Sequence, residues 1–227
     1  MEYLKDNLEK VYGRIKKACE RSGRNPADIT LVAVSKTVDI ETVKKAYSLG
    51  VTDFGENRVQ ELKNKIPLLP EANWHMIGRL QTNKVKDIVG KVVLIHSLDR
   101  WNLAEEINKR AKAIGINVAT LLQINISGEE QKAGLSPDDV EYFLESAGAL
   151  SNIRILGFMT MAPLLENPEK ARPIFRELAN MKNKFSARSY PNVDLKYLSM
   201  GMSQDFEIAI EEGANIVRIG SSIFSEE

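Results

Sequence analysis

Apolar residues recur along the chain at two alternating spacings, and these spacings predict its secondary structure. Between Leu4 and Ala18 they fall three or four positions apart, which predicts an amphipathic helix that ends at Gly23. Residues 30–35 then form a nearly continuous apolar run of β-type residues that stops at Lys36. Such a run is typical of a strand that is buried on both faces of a parallel sheet.

After this first strand, helical patterns and short β-like runs alternate over the rest of the chain. The predicted helices cover residues 40–49, 56–66, 82–89, 99–114, 137–148, 168–185 and 203–212. The predicted strands cover residues 30–35, 52–54, 74–77, 92–95, 119–126, 153–158, 195–198 and 215–219. Gly50 and Gly213 each follow a helical stretch, as glycines that end helices do, and Ser136-Pro137 predicts a helix start.

The number and order of these units predict the fold. Eight β-type runs that alternate with helical stretches predict a single (β/α)8 TIM barrel with an extra N-terminal helix. Residues 1–227 are predicted to form one domain. A doubly wound open sheet has the same alternation, and periodicity alone does not distinguish it from the barrel.

Composition and charge narrow the classes of function. Lysine plus arginine and aspartate plus glutamate number 31 each, so no excess positive charge points to nucleic acid or a membrane surface. No segment is apolar and long enough for export or membrane insertion. The single cysteine, Cys19, excludes an internal disulfide framework. We therefore expect a cytoplasmic protein that binds a small neutral or anionic ligand.

The most prominent candidate residue is the lysine that ends the first strand. In a TIM barrel, functional residues lie at the C-terminal ends of the strands. Most lysines at strand ends are simply solvated, but Lys36 follows an apolar run at the barrel mouth. We expect it to lose hydration there, which favours the neutral amine that attacks an aldehyde.

The loops after the seventh and eighth strands predict a phosphate site. Barrels commonly bind phosphate there through backbone N–H groups, which Gly201 and Gly220 would allow a ligand to approach closely. Hydroxyl donors in the same loops are Ser199, Ser203, Ser221 and Ser222. The alternative is that both segments are ordinary turns with an N-capping serine.

Three further polar residues are weaker candidates. Asn57 follows the second strand and is able to hydrogen-bond across the barrel mouth. His75 lies in the third strand, where a lone histidine is more often a hydrogen-bonded core residue than a catalyst. Lys132 is interpreted as solvated, or else as an anion contact. With only His75 and His96 and no acidic cluster, a metal site is not expected.

Six segments together resemble the YggS/PROSC family of pyridoxal phosphate homeostasis proteins. The resemblance is carried by Ala33–Thr37, Phe54–Asn57, Trp74–Lys84, Gly157–Pro163, Ser199–Asp205 and Val217–Gly220. The stretches WHMIGRLQTNK and SMGMSQD are the most specific, and the match runs almost from end to end. The tail departs from the family pattern at Ser225, where glycine is common.

The resemblance implies a fold-type III barrel related to the N-terminal domain of alanine racemase. It implies that Lys36 holds pyridoxal 5′-phosphate as a Schiff base and that Arg218 faces the pyridine nitrogen. It assigns the phosphate to Ser199, Gly220 and Ser221, and it places Asn57 beside the cofactor. It also implies a monomer that buffers the cofactor or delivers it transiently to apo-enzymes.

Two catalytic alternatives remain open. Arginine only donates hydrogen bonds to the ring nitrogen, which weakens the ring as an electron sink and disfavours broad catalysis. Related racemases nevertheless use the same arginine, so a small amino-acid racemase or related lyase is the alternative. A Schiff-base aldolase would also use a strand-end lysine and a phosphate site.

Overall fold

The computed structural model describes residues 2–129 and 133–226. Its strands are β1 (Thr30–Val34), β2 (Asp53–Glu56), β3 (Asn73–Met76), β4 (Leu94–Leu98), β5 (Val118–Gln123), β6 (Ile153–Met159), β7 (Val193–Ser199) and β8 (Ile216–Ile219). Its helices are α1 (Glu2–Ser22), α2 (Ile40–Ser48), α3 (Val59–Lys65), α4 (Val85–Ile88), α5 (Trp101–Ala113), α6 (Val140–Ser146), α7 (Arg172–Ser186), α8 (Phe206–Glu211) and α9 (Ser221–Phe224).

The eight strands are parallel and close into a barrel in sequence order. Closure is made by β1 and β8, where Thr30 is paired with Ile216 and Val32 with Arg218. This pairing confirms the predicted TIM barrel and excludes the open sheet. It also places the loops after β1 and β8 side by side at one end of the barrel.

Helix α1 is the predicted addition, and it packs where the barrel closes. Its apolar stripe is buried, and the Asn7 amide donates to the Ile223 and Ser225 carbonyls at 3.1 and 3.0 Å. Arg14 pairs with Glu207 of α8 at 2.7 Å. The last turn of the chain is therefore held by the first helix, with Ser225 contributing only its backbone.

Strand β4 differs most from its predicted position among the eight strands. The prediction covered residues 92–95, whereas the strand runs over Leu94–Leu98. Val93 is 48% exposed, and His96 and Ser97 are completely buried. Because these two polar residues interrupt the apolar pattern, hydropathy alone ended the strand too early. The predicted C-terminal ends of the helices lie within two residues of the observed ones, and Gly50 and Gly213 have positive φ angles of 98° and 105°.

Candidate functional site

A pocket of about 450 Å³ opens at the C-terminal ends of the strands. Five of the six predicted site residues line it, namely Lys36, Asn57, Arg218, Gly220 and Ser221. Ser203, Gln204 and Asp205 from the loop after β7 are further polar lining residues. Apolar residues also line the pocket, including Ile77, Met161, Leu164 and Leu165. The pocket thus combines an amine, a guanidinium and backbone N–H groups with a wall suited to a flat ring.

Lys36 lies two residues beyond the end of β1, in a turn held by its neighbours. The Ser35 backbone N–H donates to the Gly55 carbonyl at 3.1 Å, and Thr37 adopts a positive φ of 65°. Lys36 itself is exposed. The expected loss of hydration was therefore wrong, because the pocket is open above this residue and not closed over it.

A buried ion pair supports the Lys36 turn from below. The Lys65 ammonium donates to Glu56 Oε1 at 2.7 Å and to the Ser35 carbonyl at 2.8 Å. The Ser35 hydroxyl donates to the same carboxylate oxygen at 2.7 Å. Both charged residues are buried. Sequence reasoning missed this pair, since both residues belong to the predicted helix 56–66 and look like part of a solvated helix.

Asn57 reaches the pocket because a glycine lies against its backbone. A Cβ atom at Gly78 would come within 2.2 Å of the Asn57 carbonyl oxygen, so any other residue at position 78 would push this loop away. Asn57 is exposed at the pocket rim. The Gly78 position thus explains how two predicted loops, after β2 and after β3, meet at the pocket.

The loops after β7 and β8 present backbone N–H groups at the pocket wall. Ser203 Oγ accepts from the N–H groups of Gly220 and Ser222 at 3.3 and 3.4 Å. Gly201 adopts φ 92°, and a Cβ there would lie 2.6 Å from the Ala209 Cβ atom. Two N–H groups that converge on one oxygen are the arrangement that a phosphate oxygen requires.

Asp205 holds the same loop in place. Its Oδ1 accepts from the Met202 N–H at 2.6 Å. Burial raises the pKa of this carboxyl, and its hydrogen bond from Met202 and the nearby Arg218 oppose the rise. Asp205 therefore balances charge close to the guanidinium without a direct ion pair between them.

Arg218 projects from β8 and is 3% exposed. Its Nη1 donates to Ser199 Oγ at 2.6 Å and its Nη2 to the Thr160 carbonyl at 2.9 Å. Burial lowers the pKa of the guanidinium to about 10, partly offset by Asp205. At neutral pH the group is thus still charged, and it acts only as a hydrogen-bond donor.

Ser199 is the predicted site residue that does not line the pocket. It is completely buried, and its hydroxyl contacts His96 Nδ1 at 2.8 Å as well as Arg218. Its side chain points into the barrel interior because it ends β7 on the inward face. The structure therefore brings Ser203 to the pocket wall and places Ser199 behind Arg218.

The contacts continue through two histidines to the far end of the barrel. His96 Nε2 lies 2.9 Å from His75 Nδ1, and His75 Nε2 lies 2.9 Å from Asp53 Oδ1. This confirms His75 as a hydrogen-bonded core residue. His96 was missed as a partner because it lay beyond the predicted fourth strand.

Three further points from the sequence concern Lys132, a metal site and a membrane-spanning helix. Lys132 lies outside the residues that the structure describes. Within residues 2–129 and 133–226, no three histidine, cysteine or acidic residues are grouped so that they could hold a metal ion. In the same part of the chain, no helix has the length and apolar character needed to cross a membrane.

The sequence is similar to proteins of known family. The family described as "Alanine racemase, N-terminal domain" matches residues 7–227. A pyridoxal phosphate homeostasis protein of Aquifex aeolicus is 51% identical over 223 residues, which cover 97% of each chain.

Two solved structures share both fold and sequence. A protein of unknown function from Bifidobacterium adolescentis has a TM-score of 0.92 and 34% identity, over 98% of this chain and 95% of that one. PipY of Synechococcus elongatus, solved with pyridoxal phosphate bound, has a TM-score of 0.81 and 32% identity, over 93% and 100%. With this fold, pocket and similarity, the chain belongs to the family of pyridoxal phosphate homeostasis proteins.

Proposed function

We propose that residues 1–227 act as one unit that binds pyridoxal 5′-phosphate and serves its intracellular homeostasis, by buffering it or delivering it to apo-enzymes. The observation that carries the proposal is that Lys36 and Arg218 line one pocket from the paired strands β1 and β8. Family membership supports it, since the similar PipY structure holds this cofactor.

The pocket residues fit the three chemical parts of the cofactor. Lys36 would hold the aldehyde through its amine, and Arg218 would donate to the ring nitrogen. The N–H groups of Gly220 and Ser222, together with the Ser203 and Ser221 hydroxyls, would hold the phosphate. Asn57 would lie at the rim. Ser199 would act on the cofactor only through Arg218.

Arg218 also favours holding the cofactor over using it. When bound, the cofactor supplies a reactive aldehyde and a ring that withdraws electrons most strongly when its nitrogen is protonated. Because Arg218 stays charged at pH 7, it donates to that nitrogen and leaves it unprotonated. We therefore propose that the protein has no robust catalytic turnover.

The position of the tyrosines supports the same conclusion. Racemisation needs a second acid–base group on the face opposite the lysine. Among the described residues, no tyrosine lines the pocket. Tyr142 is 74% exposed on α6, and Tyr12 is 42% exposed on α1. The exposure of Lys36 further favours exchange of the cofactor with solvent.

The test is the absorbance spectrum of the purified protein before and after pyridoxal phosphate is added. We expect a visible imine band, at a level of about one cofactor per chain, and borohydride should convert the imine to a stable adduct on the Lys36 peptide. No band and no adduct would overturn the proposal. An adduct with a ketone or aldehyde substrate, and no chromophore, would instead indicate the aldolase.

A second measurement separates carriage from catalysis. The protein with bound cofactor is incubated with single amino acids in deuterated water, and the α-proton signal is followed by NMR. We expect exchange no faster than with free pyridoxal phosphate. Exchange at enzyme-like rates, about 1 s⁻¹ or faster, would support the racemase or lyase.

The remaining parts of the proposal rest on the sequence. A cytoplasmic location agrees with one cysteine, Cys19, which is buried and unpaired by a disulfide. A monomer and transient contacts with apo-enzymes are proposed from family resemblance. Size-exclusion chromatography with light scattering measures the first, and reconstitution of an apo-enzyme by the loaded protein measures the second.

A further inference from the structure

Five polar side chains, each from a different strand, form an unbroken row of contacts across the barrel interior. The row is Arg218, Ser199, His96, His75 and Asp53, with successive contacts of 2.6, 2.8, 2.9 and 2.9 Å. Arg218, Ser199, His96 and His75 are at most 4% exposed. Only the Asp53 side chain, 17% exposed, approaches solvent.

The row connects opposite ends of the barrel. Arg218 lines the pocket at the C-terminal ends of the strands. Asp53 is the first residue of β2 and so lies at the N-terminal end. Its carboxylate also accepts from the Thr52 hydroxyl at 2.7 Å. The row thereby connects Asp53, which does not line the pocket, to Arg218, which does.

Donor and acceptor requirements give the row one direction. A guanidinium only donates and an ionised carboxylate only accepts, so with neutral rings Ser199 Oγ accepts from Arg218 and directs its own hydrogen to His96 Nδ1. His96 is then the Nε2–H tautomer and donates to His75 Nδ1. His75 in turn is the Nε2–H tautomer and donates to the Asp53 carboxylate. In this arrangement each contact of the row has one donor and one acceptor, and both histidine rings are neutral.

Added protons would conflict with this arrangement. A cationic His96 ring has N–H groups on both sides, so its Nδ1 could no longer accept the Ser199 hydrogen, and that hydrogen would lose its partner in the row. Burial lowers the pKa of His96 well below its usual value, and His75 and Arg218 lower it further. The neutral ring therefore agrees with both the electrostatics and the hydrogen bonds.

We propose that His96 and His75 are positioning residues for Arg218. Together with Asp53, the two histidines hold the Ser199 hydroxyl in place as a hydrogen-bond acceptor for Arg218. Ser199 in turn orients the guanidinium towards a heteroaromatic ring in the pocket. The proposal rests on the proposed function, because the ring is that of pyridoxal phosphate. It predicts that residues remote from the pocket control how firmly the ring is held.

The first test needs no cofactor. The chain has two histidines, so ¹⁵N-histidine labelling of the protein without a histidine tag gives signals from these two rings alone. At pH 7.5 we expect both to show the shifts of neutral Nε2–H tautomers. A ring in the Nδ1–H form, or a cationic ring, overturns the proposed direction whether or not the protein binds pyridoxal phosphate.

The second test uses two substitutions of the same histidine. His96→Leu removes the acceptor of Ser199, whereas His96→Asn places an amide oxygen near the former Nδ1. We expect His96→Leu to weaken pyridoxal phosphate binding about tenfold and to shift the visible band of the bound cofactor. His96→Asn should stay within about threefold of the unchanged protein, since the acceptor is restored.

Ser97→Ala is the matched control on the same strand. Ser97 is completely buried and its hydroxyl has no partner among the described residues. We expect it to leave both affinity and visible band unchanged. Equal losses in His96→Leu, His96→Asn and Ser97→Ala would indicate a general packing effect and overturn the proposal. Unchanged binding in His96→Leu would do so as well, and no binding by the unchanged protein would instead refute the proposed function.

Discussion

The two sides of the barrel wall are built from different chemistry. Between the strands and the helices lies one large apolar cluster, whose largest buried side chains include Phe54, Trp74 and Phe175. Inside the barrel, the buried apolar cluster has five members, Val32, Leu94, Leu121, Met159 and Ile216. The row from Arg218 to Asp53 also lies inside the barrel.

This difference shows where stability and function are separated. Successive side chains of a strand point to opposite faces, so Phe54 and Trp74 face outward while Asp53 and His75 face inward. Apolar burial in the outer layer is non-directional and tolerates small shifts. The interior instead depends on hydrogen bonds with fixed donors and acceptors. We therefore expect the outer layer to set stability and the interior to set ligand binding.

Replacing the pocket lysine should separate the two properties most clearly. Lys36→Ala should abolish the imine band and the borohydride adduct, because no other described lysine lines the pocket. The unfolding free energy should change by less than about 0.5 kcal/mol, since Lys36 is exposed. Urea unfolding and absorbance measure these effects, with Lys16→Ala on the exposed face of α1 as the control. An intact band in Lys36→Ala would contradict the assignment.

The buried pair Glu56–Lys65 is the exception in the outer layer and tests the comparison next. Lys65→Met leaves an unpaired buried carboxylate, so we expect a loss of about 3–5 kcal/mol in unfolding free energy. Adding Glu56→Leu should recover most of this loss, because both charges are then absent. Urea denaturation of the single and double variants measures it. If the double variant were no more stable than Lys65→Met, the loss would come from packing and not from the orphaned charge.

Lowering the pH should reduce the free energy of unfolding through the buried His96. The pKa of His96 is held well below 6.5 by burial, so below pH 6.5 the unfolded chain binds a proton that the folded chain does not. Stability then falls with falling pH, by about 1.4 kcal/mol per unit at most, until the folded pKa is reached. The slope between pH 6.5 and 4.5 should be smaller in His96→Asn. Urea titrations at three pH values measure it, and identical slopes would contradict the buried neutral ring.

The smallest effect is expected at a buried hydroxyl of β4 outside the row. Ser97→Ala removes a buried hydroxyl that has no partner among the described residues, so the loss of a hydrogen bond is not involved. We expect a change of about 0.5 kcal/mol or less, in the stabilising direction. A larger loss in thermal or urea unfolding would contradict the absence of a hydrogen-bond partner for this hydroxyl among the described residues.

Much of the fold and part of the site were predictable from local patterns. Eight βα units, the N-terminal helix and the glycines after α2 and α8 follow from spacing within short segments. Lys36, Arg218 and Gly220 were predictable because strand ends meet at one face of a parallel barrel. Strand β4 was placed too early because its second half carries buried polar residues, which hydropathy interprets as the end of a strand.

The sequence by itself determined the order of elements and the residues that reach the barrel mouth, because both depend on periodicity and on strand ends. The tertiary structure decided which residues lie together inside. Ser199 and His96 are 103 positions apart, and His96 and His75 are 21 apart. Their contact requires that the barrel is closed and that all three side chains point to its interior. No local sequence pattern shows which side chains of these strands point inward. Because Ser199 points inward, it lies in the row behind Arg218 and not at the pocket wall.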